Sequence, residues 1–227
     1  MKDIIEWLNN RNIQINNKDL IHQAFMHSSY ANEHRRNHDN ERLEFMGDAV
    51  LELWTSDKLY KHKPVLKEGE MTTLRAQLVC EKALSMYAKT LKLNDFLLLG
   101  IGEEKSGGRQ RDSIIADMFE AFLGALYLDQ GMEPIDNILS EVLLPCLNNP
   151  AQANLQIDYK TKLQEYVQGD VRKTVSYELV STHGPANNPV FEMRVVLDGI
   201  VLGSGKGNSK KKAEQEAARN AFEKMVK

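Results

Sequence analysis

Apolar residues recur at three- and four-residue spacing through Leu20–Phe25, Leu43–Tyr60, Met71–Leu93 and Ile114–Leu128, the period of helices that bury one face. Polar or Gly/Pro-bearing stretches at Asn32–Asn40, Lys61–Gly69 and Gly100–Arg109 read as the loops between them. A last helix of this set is predicted from about Pro134 to Leu144, ending near Pro145. Residues 1–148 are therefore expected to form an all-helical domain. The polar run Asn148-Asn149-Pro150-Ala151-Gln152-Ala153-Asn154 then breaks the period, which predicts an interdomain linker over 149–156.

Beyond the linker the period changes. Asp158 is placed to cap an amphipathic helix running to Gln168. Strand-like runs follow at Val175–Thr182, Val190–Leu197 and Ile200–Gly203, the last two joined by Asp198-Gly199, a two-residue hairpin signal. Ser209 is placed to cap a final helix reaching about Val226. The order α-β-β-β-α over residues 157–227 predicts a small α+β domain with both helices on one face of an antiparallel sheet. The fold expected is multidomain: all-α first, α+β second.

Two segments carry charge where the pattern predicts burial. From Ile114 to Leu128 the chain is apolar almost all round, and its charged residues are Asp117 and Glu120, at i, i+3 on one face. In Glu41–Leu51, Glu41, Glu44 and Asp48 share a helical face at i, i+3, i+7. Gly47 costs about 1 kcal/mol relative to Ala in mid-helix, and its presence points to a close helix–helix approach. Burying unpaired carboxylates costs several kcal/mol each, roughly, so a cation must meet them. That cation could be Arg42, Arg75, Arg109 or Arg111 in structural salt bridges, or a metal. An all-oxygen set without His or Cys favours Mg²⁺, with Mn²⁺ able to substitute, over zinc.

Composition narrows the setting. The chain has 42% apolar and 27% charged residues, ordinary for a globular protein. No apolar run is long enough to span a bilayer, and the start has no apolar signal core, so the expectation is a cytoplasmic protein without membrane contact. Cys80 and Cys146 give neither a disulfide framework nor metal spacing. Residues 1–150 hold 17 Lys and Arg against 23 Asp and Glu, net −6, whereas residues 151–227 hold 12 against 9, net +3. An acidic front and a basic back suggest two different tasks.

Asn40-Glu41-Arg42-Leu43-Glu44-Phe45-Met46-Gly47-Asp48-Ala49-Val50-Leu51 resembles the signature stretch of the ribonuclease III family, with Met46 where Leu is usual. The resemblance extends through His27-Ser28-Ser29-Tyr30, Glu68-Gly69-Glu70-Met71, Leu74–Val79 and Ser106–Arg109 to Leu128-Asp129. Behind these, Asp158–Glu165, Gly184-Pro185 and Gly203–Ala218 are similar to a double-stranded-RNA-binding domain. The resemblance implies that Glu44, Asp48, Asp117 and Glu120 bind metal, with Asp48 and Glu120 as the catalytic pair. It implies that Glu41 and Glu68 assist, and that Phe45 packs into the partner of a homodimer with one cleavage centre per subunit. The implied reaction is in-line hydrolysis of double-stranded RNA with two metal ions, leaving 5′-phosphate and 3′-hydroxyl ends and two-nucleotide 3′ overhangs. The competing reading is a regulator that binds duplex RNA without cutting it, which would have lost at least one of these acids.

Duplex RNA hides its base edges, so its readers use phosphates and 2′-hydroxyls. Ser209-Lys210-Lys211-Lys212 places three ammonium groups and free amides in the first turn of the last helix, and Lys206 lies just before it, which suits phosphates. The resemblance implies that Thr161, Gln164 and Glu165 reach a minor groove. It also places Asn187 where His is common, a shorter and never-charged donor to a 2′-hydroxyl. Cys80 stands where the family often has Asn and is expected to serve helix packing.

His34 and His38 have a zinc-like i, i+4 spacing but lie in an apolar-free stretch and read as a solvated loop. Gly203-Ser204-Gly205-Lys206-Gly207 lacks the spacing of a nucleotide loop, so no nucleotide cofactor is expected. Arg109 and Arg111 are further candidates to touch RNA.

Overall fold

The computed structural model describes residues 3–148, 159–171, 174–185 and 189–225, with the side chains of 162, 165 and 169–171 excepted. The chain divides into two compact units, Met1–Leu155 and Gln156–Lys227. The expected linker over 149–156 and the Asp158 cap lie outside the described residues.

The first unit is helical: α1 (Ile4–Asn9), α2 (Lys18–Ala24), α3 (Ser28–Glu33), α4 (Glu41–Tyr60), α5 (Glu68–Leu78), α6 (Glu81–Thr90), α7 (Ile101–Lys105), α8 (Asp112–Gln130), α9 (Met132–Val142) and α10 (Leu144–Asn148). Its axis is α8, against which α4, α6, α2 and α9 pack. Being apolar nearly all round, α8 buries every residue from Ile114 to Leu126 except Asp117 and Glu120, which are half-buried. Phe119 and Phe122 are fully buried and meet Tyr87 and Phe25 at 6.3 and 5.6 Å between ring centroids. Each such side chain contributes roughly 1.5–3 kcal/mol on leaving water.

Three expected element boundaries in this unit need correction. The apolar run Met71–Leu93 is broken into α5 and α6 at Val79–Cys80, where Cys80 is extended (φ −72°, ψ 152°) and forms the N-cap of α6. The stretch Gly100–Arg109 is not all loop. It holds α7, started by Glu33, whose carboxylate accepts the Ile101 N–H at 2.9 Å. Pro145 does not end the helical set either. It sits in the first turn of α10, where a missing N–H costs nothing.

The second unit contains α11 (Tyr159–Val171), β1 (Ser176–His183), β2 (Val190–Leu197), β3 (Ile200–Gly207) and α12 (Lys210–Met225). The sheet is antiparallel in the order β1-β2-β3. Asp198 (φ +50°) and Gly199 (φ +81°) close the hairpin with the two left-handed residues that a tight turn matched to strand twist requires. Leu163, Val167, Val175, Val195 and alanines 217, 218 and 221 form its core.

β3 runs past Gly203 to Gly207, and α12 explains why its glycines alternate. A Cβ at Gly205 would stand 2.2 Å from the Ala217 nitrogen, and one at Gly207 2.6 Å from the Ala213 nitrogen. The stretch that faintly resembled a nucleotide loop is the floor on which α12 lies.

Candidate metal centre and nucleic-acid interface

The acidic site is built at the crossing of α4 and α8. Gly47 and Gly124 face each other there. A Cβ on Gly47 would stand 1.8 Å from the Glu120 carbonyl oxygen, and one on Gly124 would stand 2.2 Å from the Leu43 carbonyl oxygen. Only glycine permits so close an approach, and it brings Glu44 of α4 against Asp117 and Glu120 of α8. One carboxylate oxygen from each of these three lies within 4.8 Å of the others.

Asp48 is exposed one turn further along α4, outside that group of three, yet its charge acts on both Glu44 and Glu120. Glu41 is exposed in the first turn and its charge acts on Glu44. Glu68 is not drawn in: it is exposed at the start of α5 and accepts from the Thr72 hydroxyl at 3.0 Å.

The electrostatics follow from the packing. Burial, and then the charges of Asp48, Glu44 and Asp117, push the Glu120 carboxyl up to about 8. Burial likewise raises Glu44, with Asp117, Glu41, Asp48 and Asp39 adding to it. Asp117 is raised by burial and by Glu81, and His27 partly offsets this. The nearness of Asp39, Glu81 and His27 was missed in the sequence. Glu81 sits at the start of α6, a boundary that the apolar spacing through Met71–Leu93 does not mark.

The salt-bridge alternative fails. Arg75 reaches Ser56 and Glu52, Arg109 holds Glu104 through two nitrogens at 2.9 and 2.6 Å, and Arg111 holds Glu103 at 2.8 Å. Among the described residues no Lys or Arg pairs with Glu44, Asp48, Asp117 or Glu120. Half-buried, converging, all-oxygen donors without a side-chain counterion fit a hard divalent cation. Arg109 and Arg111 are each ion-paired with an acid of α7.

Phe45 projects from α4 with 80% of its surface exposed, alongside Leu53 at 62% and Tyr60 at 78% on the same side of the helix. Cys80 is exposed and does not pack a helix; its thiol donates to the Gln77 carbonyl at 3.3 Å.

In the second unit the Ser209 hydroxyl caps α12, accepting the Lys212 N–H at 3.3 Å. Lys210, Lys211 and Lys212 are all exposed in that first turn, and no described carboxylate pairs with them. Lys206 is exposed with its Nζ 3.7 Å from Glu192. Thr161 is exposed on α11, and Gln164 accepts the Val175 N–H at 3.1 Å, which ties α11 to the entry of the sheet. Asn187 and the Glu165 side chain lie outside the described residues.

Comparison with known proteins gives a match for each of the two units. Residues 17–147 match the family model described as ribonuclease-III-like, and residues 159–225 match that of the double-stranded RNA binding motif. The chain is 49% identical over 217 residues to ribonuclease 3 of Bacillus velezensis, covering 95% of this chain and 87% of that one. It is 49% identical over 215 residues to ribonuclease 3 of Bacillus cereus, covering 94% and 87%. Among solved structures it is similar to the nuclease domain of ribonuclease III from Campylobacter jejuni, at 35% identity and a TM-score of 0.57, covering 65% of this chain and 99% of that one. A helical unit with converging carboxylates, followed by a three-stranded RNA-binding module, thus places this chain in the ribonuclease III family of endoribonucleases.

Proposed function

We propose that the chain cuts double-stranded RNA by hydrolysing phosphodiesters to 5′-phosphate and 3′-hydroxyl ends with short 3′ overhangs. The observation that carries this reading is the convergence of Glu44, Asp117 and Glu120 without a side-chain counterion. These three, with Asp48 beside them, would hold Mg²⁺, or Mn²⁺ in its place. When bound, such ions activate the attacking water and stabilise the departing 3′-oxygen.

The chain's own residues do the rest. The two glycines at the α4–α8 crossing fix the separation of the carboxylates, and burial raises the proton affinity of Glu120 until a cation displaces the proton. Asp48 and Glu120 are the acids on which cutting should depend most, and Glu41 and Glu68 would assist in positioning the RNA and the second metal ion. The α12 start, with Lys206 and Thr161, Gln164 and Glu165 of α11, would hold the duplex by its shape, as would Asn187.

Two chains would act together. Phe45, Leu53 and Tyr60 form an exposed apolar face on α4, and the similar Campylobacter jejuni nuclease domain has a region involved in dimer formation. The division of labour runs as nuclease and dimerisation over 1–148, linker over 149–156 and RNA binding over 157–227. The setting proposed is cytoplasmic, with ribosomal RNA precursors and structured messenger or antisense RNA as substrates. No helix of the described residues is long and apolar enough to cross a membrane.

The test is incubation of an RNA duplex with and without Mg²⁺, followed by mapping of the product ends. Cutting that requires Mg²⁺ and leaves staggered 5′-phosphate ends is expected. A mobility shift without cutting would leave only an RNA-binding regulator.

A further inference from the structure

The three carboxylates of α12 find their cations in different directions. Glu216 and Glu223 pair along their own helix with Arg219, at 3.7 and 3.0 Å. Glu214 does not. Its partner is Lys160 in the first turn of α11, 2.6 Å away, with 34% of the lysine side chain and 21% of the glutamate side chain exposed. Yet Lys210 lies four residues and Lys211 three residues before Glu214, the spacings at which helical side chains are neighbours. Both of those lysines are exposed, and no described carboxylate pairs with them.

Lys160 is held on two sides. Its Nζ lies 4.6 Å from the centre of the Tyr177 ring on β1, a cation over an aromatic face, while the Glu214 carboxylate accepts from it on the side of α12. Half-buried and committed to both, it is not a spare cation for a phosphate. What it supplies is neutrality at a point where charge matters. A lone carboxylate one turn from Lys210 and Lys211 would either capture an ammonium group or repel the phosphate that approaches it. Salt screens a partly buried charge of this kind less than one on the open surface. With the pair formed, the positive start of α12 and its lysines face solvent without that opposing charge.

We infer, resting on the reading of Lys210, Lys211 and Lys212 as a phosphate grip, that Lys160 is a positioning residue for that grip. It acts through Glu214, holding the carboxylate to α11 so that the ammonium groups of Lys210 and Lys211 stay free for the RNA backbone. Lys160 itself touches no RNA. The affinity of the module for duplex RNA then depends on an ion pair that makes no contact with the ligand.

The test is a double-variant cycle in the full chain, carrying Glu120→Gln throughout to block cutting. Binding of a blunt RNA duplex is followed over about 50 to 200 mM salt, where each phosphate contact adds roughly 0.7–0.9 to the log–log slope. Lys160→Gln should flatten the slope by about one contact, roughly 0.7–0.9, because Glu214 is released onto the lysines of its own helix. Adding Glu214→Gln should restore the slope, although no cation has been returned. Glu214→Gln alone, and the conservative Lys160→Arg, should not flatten it. A direct contact between Lys160 and phosphate predicts otherwise: the loss in Lys160→Gln would persist in the double variant, and that result overturns the inference. A Lys160→Gln slope equal to its parent's, or a flatter slope in Glu214→Gln alone, overturns it as well. Tm is measured on every variant, since a merely structural pair would lower Tm in the double variant and leave its binding impaired. If changing Lys210, Lys211 and Lys212 together to Gln leaves the slope whole, the phosphate grip itself is lost, an outcome distinct from a failed rescue.

Discussion

Gly47 presses on Glu120: a Cβ at Gly47 would stand 1.8 Å from the Glu120 carbonyl oxygen, backbone against backbone at the centre of the α4–α8 crossing. No rotamer change relieves such a clash, so the helices would have to separate. Gly47→Ala and Gly124→Ala are each expected to cost about 1–3 kcal/mol or more. At roughly 2–4 °C per kcal/mol for a chain of this size, the loss is visible as a lower Tm. Both should also weaken Mg²⁺ binding, followed by isothermal titration, because Glu44 moves away from Asp117 and Glu120. A Gly124→Ala protein with unaltered Tm and Mg²⁺ affinity would contradict this account of how the acids are held.

The raised carboxyl of Glu120 makes stability depend on pH. A group whose proton is held more tightly in the folded state contributes stability that is complete below its unfolded value, near 4.5, and is lost as pH rises through about 8. In chelator, therefore, Glu120→Gln should gain on the unaltered chain as pH rises from about 5 to 9, since the amide carries no charge to bury. Mg²⁺ should reverse the order, raising Tm of the unaltered chain more at high pH than at low, because it binds the ionised cluster of the folded state. Thermal unfolding at several pH values, with EDTA and then with Mg²⁺, measures both. A difference between the two proteins that did not vary with pH would show that Glu120 is not the proton-holding group.

Only part of this site could be read from the chain. Carboxylates at helical spacing within an apolar run were legible, because periodicity fixes which residues share a face and burial makes charge conspicuous. So was Gly47, but its partner Gly124 was not, since a glycine in an apolar helix resembles ordinary small-residue packing until the crossing is seen. The hairpin at Asp198-Gly199 was legible because few residues suit its backbone, whereas the true end of β3 at Gly207 was not, because glycines stand at its buried positions and no apolar side chain marks them. The pairing of Arg109 and Arg111 with Glu104 and Glu103 depends on how α7 folds back, which no spacing announces.

Cys80 illustrates the same limit and yields a third prediction. Apolar periodicity runs through it, which suggested helix packing, yet it is the N-cap of α6 and provides no side-chain acceptor to the free amides there. Asn accepts from such amides, and N-cap Asn is worth about 0.5–2 kcal/mol over residues that cannot. Cys80→Asn is expected to raise Tm by a few degrees. It should also remove the reaction of the exposed thiol with a maleimide, leaving buried Cys146 slow to react. An unchanged or lower Tm would show that the end of α6 is satisfied in another way.

The start of α12 separates two roles that a single substitution would confuse. Ser209 caps the helix, so Ser209→Ala should lower stability by about 0.5–2 kcal/mol and affect RNA only through fraying of that turn. Lys210, Lys211 and Lys212 are exposed, so changing all three to Gln should leave Tm nearly unaltered. If each neutralises one phosphate, the triple variant should flatten the log–log salt dependence of duplex RNA binding by about 2.1–2.7. Tm and the binding slope, measured on both proteins, tell the roles apart: the cap moves the first and the lysines the second. A triple variant that keeps the full slope would place the phosphate grip of this unit elsewhere, with Lys206 the nearest remaining cation in the chain.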